Sequence, residues 1–246
     1  MIKHLARNPV GGTVLGCLDS IRPHISASWG GPFNGQKFRQ RIFFDLLYYL
    51  PIKAIVETGT FRGTTTALFA ATSLPVYTSE AHPRFFTYSK LRFIGNRSAI
   101  HLFRMDSRSF LHRLAHDATA PKQDVFFYLD AHWGSDLPLR EELEIIFSLW
   151  ENPIVMIDDF CVPNSGYRFD DYGPQNTLNL NYIDSTVSTH ELAVFFPAVD
   201  VAAETGAKRG SIVLCAETSG GILDATVKTL VRYLPIVRAI GSTLKT

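Results

Sequence analysis

At 246 residues with 46% apolar side chains, the chain has the length and composition of one α/β domain with additions at its ends. A formal net charge of +1 gives no reason to expect nucleic acid or an anionic membrane surface as a partner. The three cysteines lie far apart, which argues against a disulfide framework and against a zinc site. No apolar run approaches the roughly 20 residues of a membrane span, so we expect a soluble, cytoplasmic protein.

The sequence predicts three regions. Residues 1–36 form an N-terminal extension that is irregular apart from a short helix over 11–21. Residues 37–218 form the main domain. Residues 219–246 form a C-terminal extension whose amphipathic helix, over 222–234, is expected to pack on the domain or on a partner subunit. A homo-oligomer is therefore left open.

Short apolar strands and amphipathic helices alternate through the main domain. Strands are predicted close to 52–56, 76–79, 100–104, 125–129, 154–157, 193–196 and 211–215. Helices are predicted at 38–50, 64–71, 83–94, 109–116 and 138–150. This alternation predicts a Rossmann-like, doubly wound α/β fold with a mostly parallel seven-stranded sheet and helices on both faces. The stretch from 160 to about 186 is predicted to be irregular, as a lid or a substrate wall.

The first strand runs into a glycine turn, Glu57-Thr58-Gly59-Thr60-Phe61-Arg62-Gly63. Gly59 permits a positive φ, and Gly63 allows the next helix to pack closely. A helix that begins at the carboxyl end of a parallel strand is a ligand site. In a dinucleotide fingerprint, the amides of Gly-x-Gly hold a pyrophosphate, whereas Glu57 would repel a phosphate. A carboxylate here suits a cationic group such as an amine, and the alternative is an ordinary turn without a ligand.

Each of the first five strands ends in an acid. The acids are Glu57, Glu80, Asp106, Asp130 and the pair Asp158-Asp159. In a parallel sheet these ends share the edge where ligands bind. Glu80 follows Glu57 at the interval at which an acid binds ribose hydroxyls in nucleotide-binding βαβ units. For Glu80 and Asp106, capping of the following helix is the alternative.

The last two strand ends carry three acids, Asp130, Asp158 and Asp159, which we expect to converge. Three like charges are costly unless a cation is present. Oxygen ligands without clustered Cys or His favour Mg²⁺, with Ca²⁺ or Mn²⁺ as alternatives. Without a metal, neutralising one acid is expected to leave the fold as stable or more so. The other interpretation is that these residues are helix caps and hydrogen-bonded loop acids.

Two stretches resemble known enzymes. The turn from Glu57 to Gly63 resembles the first motif of class I S-adenosylmethionine-dependent methyltransferases, with Phe61 at the middle glycine, as in catechol O-methyltransferase-like enzymes. Residues 128–133 (Tyr-Leu-Asp-Ala-His-Trp) and 157–160 (Ile-Asp-Asp-Phe) are similar to the metal motifs of Mg²⁺-dependent small-molecule O-methyltransferases of the catechol, macrolide-sugar, novobiocin and rhamnosyl type. The resemblance covers roughly residues 54–160.

The resemblance implies a cofactor, a metal and an activity. S-adenosylmethionine would contact Glu57, Thr58, Gly59, Thr60, Phe61, Gly63, Glu80, Asp106, Ser107 and Asp130, with Glu80 at the ribose and Asp106-Ser107 at the adenine. Asp130, Asp158 and Asp159 would bind Mg²⁺, and a hydroxyl of a small molecule or sugar would accept the methyl group. Two alternatives stay open: a metal-independent methyltransferase of the same fold, and a non-catalytic module that binds an adenosyl ligand.

The general base departs from the catechol pattern, in which a lysine stands at the position of Trp133. His132 is the first substitute because its unperturbed pKa is about 6.5, and Asp130 is the second. A purely structural His132 is an equal alternative.

Overall fold

The computed structural model describes residues 8–96, 99–132 and 136–234. Its helices are α1 (Pro9–Ser20), α2 (Lys37–Tyr49), α3 (Thr64–Ala70), α4 (Pro83–Arg92), α5 (Ser107–His116), α6 (Leu139–Leu149), α7 (Leu180–Thr189) and α8 (Glu217–Thr226). Its strands are β1 (Ala54–Thr58), β2 (Val76–Ser79), β3 (Ile100–Phe103), β4 (Val125–Leu129), β5 (Ile154–Asp158), β6 (Leu192–Pro197), β7 (Ser211–Ala216) and β8 (Leu230–Arg232). None of these helices has the length and apolar character needed to pass through a bilayer.

The eight strands of the described chain form one sheet in the order β3-β2-β1-β4-β5-β7-β6-β8. Strands β1 to β5 pair in parallel, whereas β7 runs antiparallel to β5 and β6, and β8 runs antiparallel to β6. The predicted Rossmann-like, mostly parallel sheet is confirmed, with one strand more than expected. The strand order reverses between β1 and β4, which is the place where open parallel sheets bind ligands.

The sheet is covered on both faces. Side chains alternate along a strand, so neighbouring residues enter different layers. Val56 and Phe127 belong to the apolar cluster that includes α5, α6 and α7. Ile55 and Phe126 belong to the second cluster, with α2, α3 and α8. This arrangement explains why β1, β4 and β5 are continuous apolar runs, and it fixes their carboxyl ends at one edge.

The N-terminal helix α1 packs against α4. The carboxylate of buried Asp19 accepts hydrogen bonds from Nε and Nη2 of Arg84, at 2.7 and 2.9 Å. The helix predicted within the extension is confirmed, and it begins at Pro9 because the Asn8 side chain accepts a hydrogen bond from the Val10 amide.

The stretch predicted to be irregular contains helix α7 from Leu180 onward. Asn179 caps this helix by accepting a hydrogen bond from the Tyr182 amide, and Ile183 and Thr186 are buried on one face. Its sequence is rich in Asn, Asp, Ser and Thr, which have weak helix propensity, so packing on α6 stabilises the helix where propensity does not.

The C-terminal prediction of one helix over 222–234 is wrong beyond Thr226. Leu230–Arg232 instead form β8, which pairs with β6. Leu223 and Val227 are buried as expected, but Val231 is 52% exposed. A strand here satisfies the backbone groups along the free edge of β6, which a continued helix would leave open. The remainder of the predicted C-terminal extension, 235–246, lies outside the described residues.

Candidate active site

The glycine turn lies between β1 and α3, as predicted. Gly59 has φ 89° and Gly63 has φ 67°. The amides of Gly59 and Thr60 donate hydrogen bonds to the Ser79 carbonyl at 3.1 and 3.0 Å, which ties the turn to β2. A Cβ on Gly59 would overlap the carbonyl oxygen of Asp130. Residue 59 must therefore be a glycine mainly because the end of β4 leaves no room for a Cβ. The sequence does not reveal this contact.

Glu57 is a buried acid held by threonine hydroxyls. Its Oε2 accepts hydrogen bonds from Oγ1 of Thr66 and Oγ1 of Thr78, both at 2.6 Å. The Thr60 hydroxyl joins this network through Thr78 at 2.6 Å. Burial raises the pKa of Glu57 to about 7, and the nearby Glu80 charge adds to the rise, against the two hydrogen bonds. The carboxylate offers acceptor oxygens, as a cationic ligand group needs, and would repel a phosphate.

Glu80 lies after β2 and bridges two loops. Its carboxylate accepts hydrogen bonds from the amides of Phe61 and His82, each at 2.7 Å. Burial raises the pKa of Glu80 to about 7 despite these bonds. A carboxylate has about four lone-pair sites, so two remain for a diol.

Asp106 is an exposed residue that caps α5, since its side chain accepts a hydrogen bond from the Ser109 amide at 3.1 Å. The capping alternative is therefore realised at this position. Ser107 is buried at the start of the helix. A role for either residue at an adenine stays a prediction.

Asp158 is the most heavily bonded of the three predicted metal ligands. It is fully buried and forms an ion pair with Arg39 of α2. It also accepts hydrogen bonds from the Tyr128 hydroxyl and from Nδ2 of Asn34, the latter at 3.2 Å. Burial would raise the pKa of Asp158, but the Arg39 charge and the Tyr128 hydroxyl hold it below its usual range. Asp158 is therefore occupied by protein donors.

Asp159 is the next residue and lies beside Arg209. It forms an ion pair with this arginine, which also pairs with Asp170. Burial and the Asp158 charge raise the pKa of Asp159 to about 8 in spite of that pairing. Its φ of 54° turns the chain sharply after β5.

Asp130, His132 and Asp159 come together at the ends of β4 and β5. One possible ligand atom from each lies within 4.8 Å of those of the other two. His132 is 2% exposed, and neither ring nitrogen has a hydrogen-bond partner within the described part of the chain. Burial and the charges of Asp158 and Asp159 raise the pKa of Asp130 well above its usual range. The structure thus groups His132 with two of the predicted acids, while Asp158 pairs with Arg39. Trp133 lies outside the described residues.

The charges of this cluster do not balance. Four carboxylates, of Asp130, Asp158, Asp159 and Asp170, lie with the two guanidinium groups of Arg39 and Arg209. With all four acids ionised, two negative charges would be uncompensated; burial and this repulsion raise the pKa values of Asp130 and Asp159. A divalent cation would supply the missing charge, so the donor set fits a metal ion.

Sequence reasoning missed the two arginines. Arg39 lies on the buried face of α2 with Ile42, Phe43 and Leu46, at helical spacing. A charged residue in an apolar stripe is the signal that could have revealed it, because an arginine is almost never fully buried without a partner. No comparable pattern marks Arg209, which reaches the site from the loop before β7.

No protein-family model matches the chain, and no curated protein matches it. Solved structures do match. An O-methyltransferase from Bacillus cereus in complex with S-adenosylhomocysteine has 15% identity over 72% of this chain and 80% of its own, with a TM-score of 0.54. The O-methyltransferase TomG from Streptomyces achromogenes, involved in tomaymycin synthesis and bound to S-adenosylmethionine, has 18% identity over the same shares, with a TM-score of 0.52.

At these identities the similarity concerns the fold. The chain has the fold of class I S-adenosylmethionine-dependent methyltransferases, and the resemblance inferred from the sequence is confirmed at that level.

Proposed function

We propose that the protein is an S-adenosylmethionine-dependent methyltransferase that methylates a hydroxyl oxygen on a small molecule or sugar with the help of a divalent cation. The observation that carries the proposal is one sheet edge that combines the glycine turn after β1 with an acid cluster short of positive charge after β4 and β5. Both structural neighbours described above are O-methyltransferases with this cofactor or its product bound.

Buried polar atoms near the turn support a ligand at this edge. Oγ1 of Thr58 and both carboxyl oxygens of Glu142 are buried and have no hydrogen-bond partner in the described chain. The Thr58 and Ser107 hydroxyls lie close enough to Glu142 to oppose the rise in its pKa, but neither is in good hydrogen-bond geometry with it. Buried polar atoms are nearly always bonded in a complete structure, so a polar ligand in this region would supply partners.

In the proposed reaction the acceptor oxygen attacks the sulfonium methyl carbon in line, so that the C–O bond forms as the C–S bond breaks. Glu57 and the glycine turn would hold the methionine end of the cofactor, and Glu80 the ribose. A bound divalent cation would favour the deprotonated acceptor hydroxyl. Asp130 and Asp159 would hold that cation, and the acceptor proton would leave to Asp130, His132 or water.

A metal-independent methyltransferase is the second candidate. It is favoured by Arg39 and Arg209, which already neutralise two carboxylates of the cluster. In that case the remaining acids would orient the acceptor and take its proton.

Transfer of a radiolabelled methyl group to a panel of sugars and phenols separates the two candidates. We expect labelled product that disappears on dialysis against EDTA and returns with a divalent metal. Undiminished transfer after EDTA would favour the metal-independent enzyme, and an absence of any cofactor binding would contradict both.

A further inference from the structure

We propose that the metal centre of this chain is a mixed nitrogen and oxygen site formed by Asp130, His132 and Asp159, and that it selects a first-row transition ion such as Mn²⁺ over Mg²⁺. The inference rests on the metal-assisted form of the proposed function. It replaces the all-carboxylate set Asp130, Asp158 and Asp159 expected from the sequence.

The first observation is the state of His132. Its side chain is 2% exposed, and within residues 8–96, 99–132 and 136–234 neither ring nitrogen has a partner in good hydrogen-bond geometry, although the Asp158 backbone lies close to the ring. Burying a polar group without a partner costs on the order of 1–3 kcal/mol, so native structures seldom keep one. Coordination to a metal would remove that cost for one of the two ring nitrogens, and the other would keep its N–H. The nitrogen has suitable neighbours, because possible ligand oxygens of Asp130 and Asp159 lie within 4.8 Å.

The second observation is that protein donors already bind the carboxylate of Asp158. Both of its oxygens accept bonds from protein donors: Oδ1 from Arg39 and the Asp159 amide, and Oδ2 from Tyr128 and Asn34. The guanidinium of Arg39 is itself fixed by the carbonyl of Gly210 at 3.0 Å. A metal on Asp158 would have to displace this buried ion pair. In Asp159, Oδ1 accepts a hydrogen bond from Arg209. We therefore assign the metal to Oδ2 of Asp159.

The donor chemistry then decides the ion. Mg²⁺ and Ca²⁺ prefer oxygen ligands, and Mg²⁺ keeps several waters. Imidazole suits Fe²⁺, Ni²⁺, Cu²⁺ and Zn²⁺, while Mn²⁺ suits carboxylates and is the weakest-binding ion of the Irving–Williams series. One imidazole with two carboxylates therefore favours a transition ion. A ring nitrogen engaged by metal has no lone pair for a proton, so His132 would not be the general base.

The test is a calorimetric titration of tag-free, metal-stripped protein with MnCl₂ and with MgCl₂, joined to electron spin-echo spectroscopy of the bound Mn²⁺. We expect Mn²⁺ to bind at least about tenfold tighter than Mg²⁺. We also expect the echo to show modulation from a directly bonded nitrogen. His132→Gln should abolish that modulation and weaken Mn²⁺ binding, whereas His112→Gln, at an exposed position of α5, should change neither.

Each other outcome contradicts the inference in a recognisable way. Mn²⁺ bound without nitrogen modulation, or Mg²⁺ bound equally well, would overturn the ligand set while metal-assisted methylation stands. Failure to bind any ion, with S-adenosylhomocysteine binding intact, would overturn the centre and leave the metal-independent enzyme. The spectrum of the wild-type protein decides the ligand even if His132→Gln does not fold.

Discussion

At the level of single residues, Arg39 determines which acids remain for a ligand. Its side chain is 1% exposed and pairs with Asp158, which lies 119 residues further along the chain. Two charges buried together have lost their hydration, and removing one leaves the other without compensation. For Asp158 this reverses the expectation from the sequence that neutralising an acid relieves repulsion and keeps the fold stable.

We therefore expect Asp158→Asn and Arg39→Met each to lower the free energy of unfolding by about 3–5 kcal/mol, as removal of one partner of a buried pair does. Urea denaturation of the metal-free protein at pH 7 measures this loss of unfolding free energy. Arg41→Met is the control, because the Arg41 side chain in its ion pair with Asp45 is 69% exposed. That change should cost less than about 1 kcal/mol. Asp158→Asn as stable as wild type would contradict the buried pair.

Glu142 gives a prediction about pH. Burial raises the pKa of this carboxyl to about 7, against an ordinary value of 4.5. Between these values the folded protein holds a proton that the unfolded chain has released, so stability falls as pH rises from about 4.5 to 7. Glu142→Gln removes this titration. We compare the free energy of unfolding of the variant with that of wild type at each pH. We expect this difference to be up to about 3 kcal/mol more favourable to the variant at pH 8 than at pH 4.5.

Urea denaturation at both pH values checks this result. The same pH dependence in the variant and in wild type would mean that Glu142 ionises normally in the folded protein.

At the level of elements, the segment before α2 and the loop before β7 hold each other at the site. Gln36 is 1% exposed and reaches Arg209 twice: its Nε2 donates to the carbonyl at 2.9 Å, and its Oε1 accepts from the amide at 2.7 Å. The Ala207 amide also donates to the Asn34 carbonyl at 3.0 Å. Arg39 and Arg209 thus reach the acids from two elements that depend on each other.

Gln36→Ala should loosen this junction. Loss of the side chain leaves the Arg209 amide without its acceptor and the Arg209 carbonyl with Arg39 as its remaining donor, which should cost about 1–3 kcal/mol. Hydrogen exchange followed by mass spectrometry should show faster exchange in 206–210. Gln123→Ala is the control, because its 3.5 Å contact with Glu151 is exposed. Unchanged exchange in the loop would show that other contacts fix it.

The elements also show what the sequence could predict. Strands β1, β4 and β5 were predictable because both faces are buried, which leaves apolar runs followed by acids. Helix α7 was not, since its polar, β-branched sequence is helical through packing on α6. Strand β8 was not, because its pairing partner β6 lies far away in the chain. In the site, the meeting of Asp130 with Asp159 followed from strand order. The apolar stripe around Arg39 could indicate a buried arginine, but the choice of Asp158 as its partner depends on tertiary contacts.

At the level of the whole molecule, the glycine turn and the acid cluster lie along one edge of one sheet. The reversal of strand order between β1 and β4 places the glycine turn beside the acid cluster. The Glu57 carboxylate suits a ligand with a positively charged group. The uncompensated negative charge near Asp130 suits a metal cation. We expect a dinucleotide to bind less well at the same edge, because the Glu57 carboxylate would repel a phosphate.

Calorimetric titration of the wild-type protein with S-adenosylhomocysteine, and in parallel with NAD⁺, tests whether this edge binds an adenosyl cofactor. We expect saturable binding of S-adenosylhomocysteine at one site per chain and no measurable heat from NAD⁺. Glu80→Gln should weaken the binding, because a neutral amide accepts less well from a ribose diol. Tighter binding of NAD⁺ than of S-adenosylhomocysteine would contradict the account.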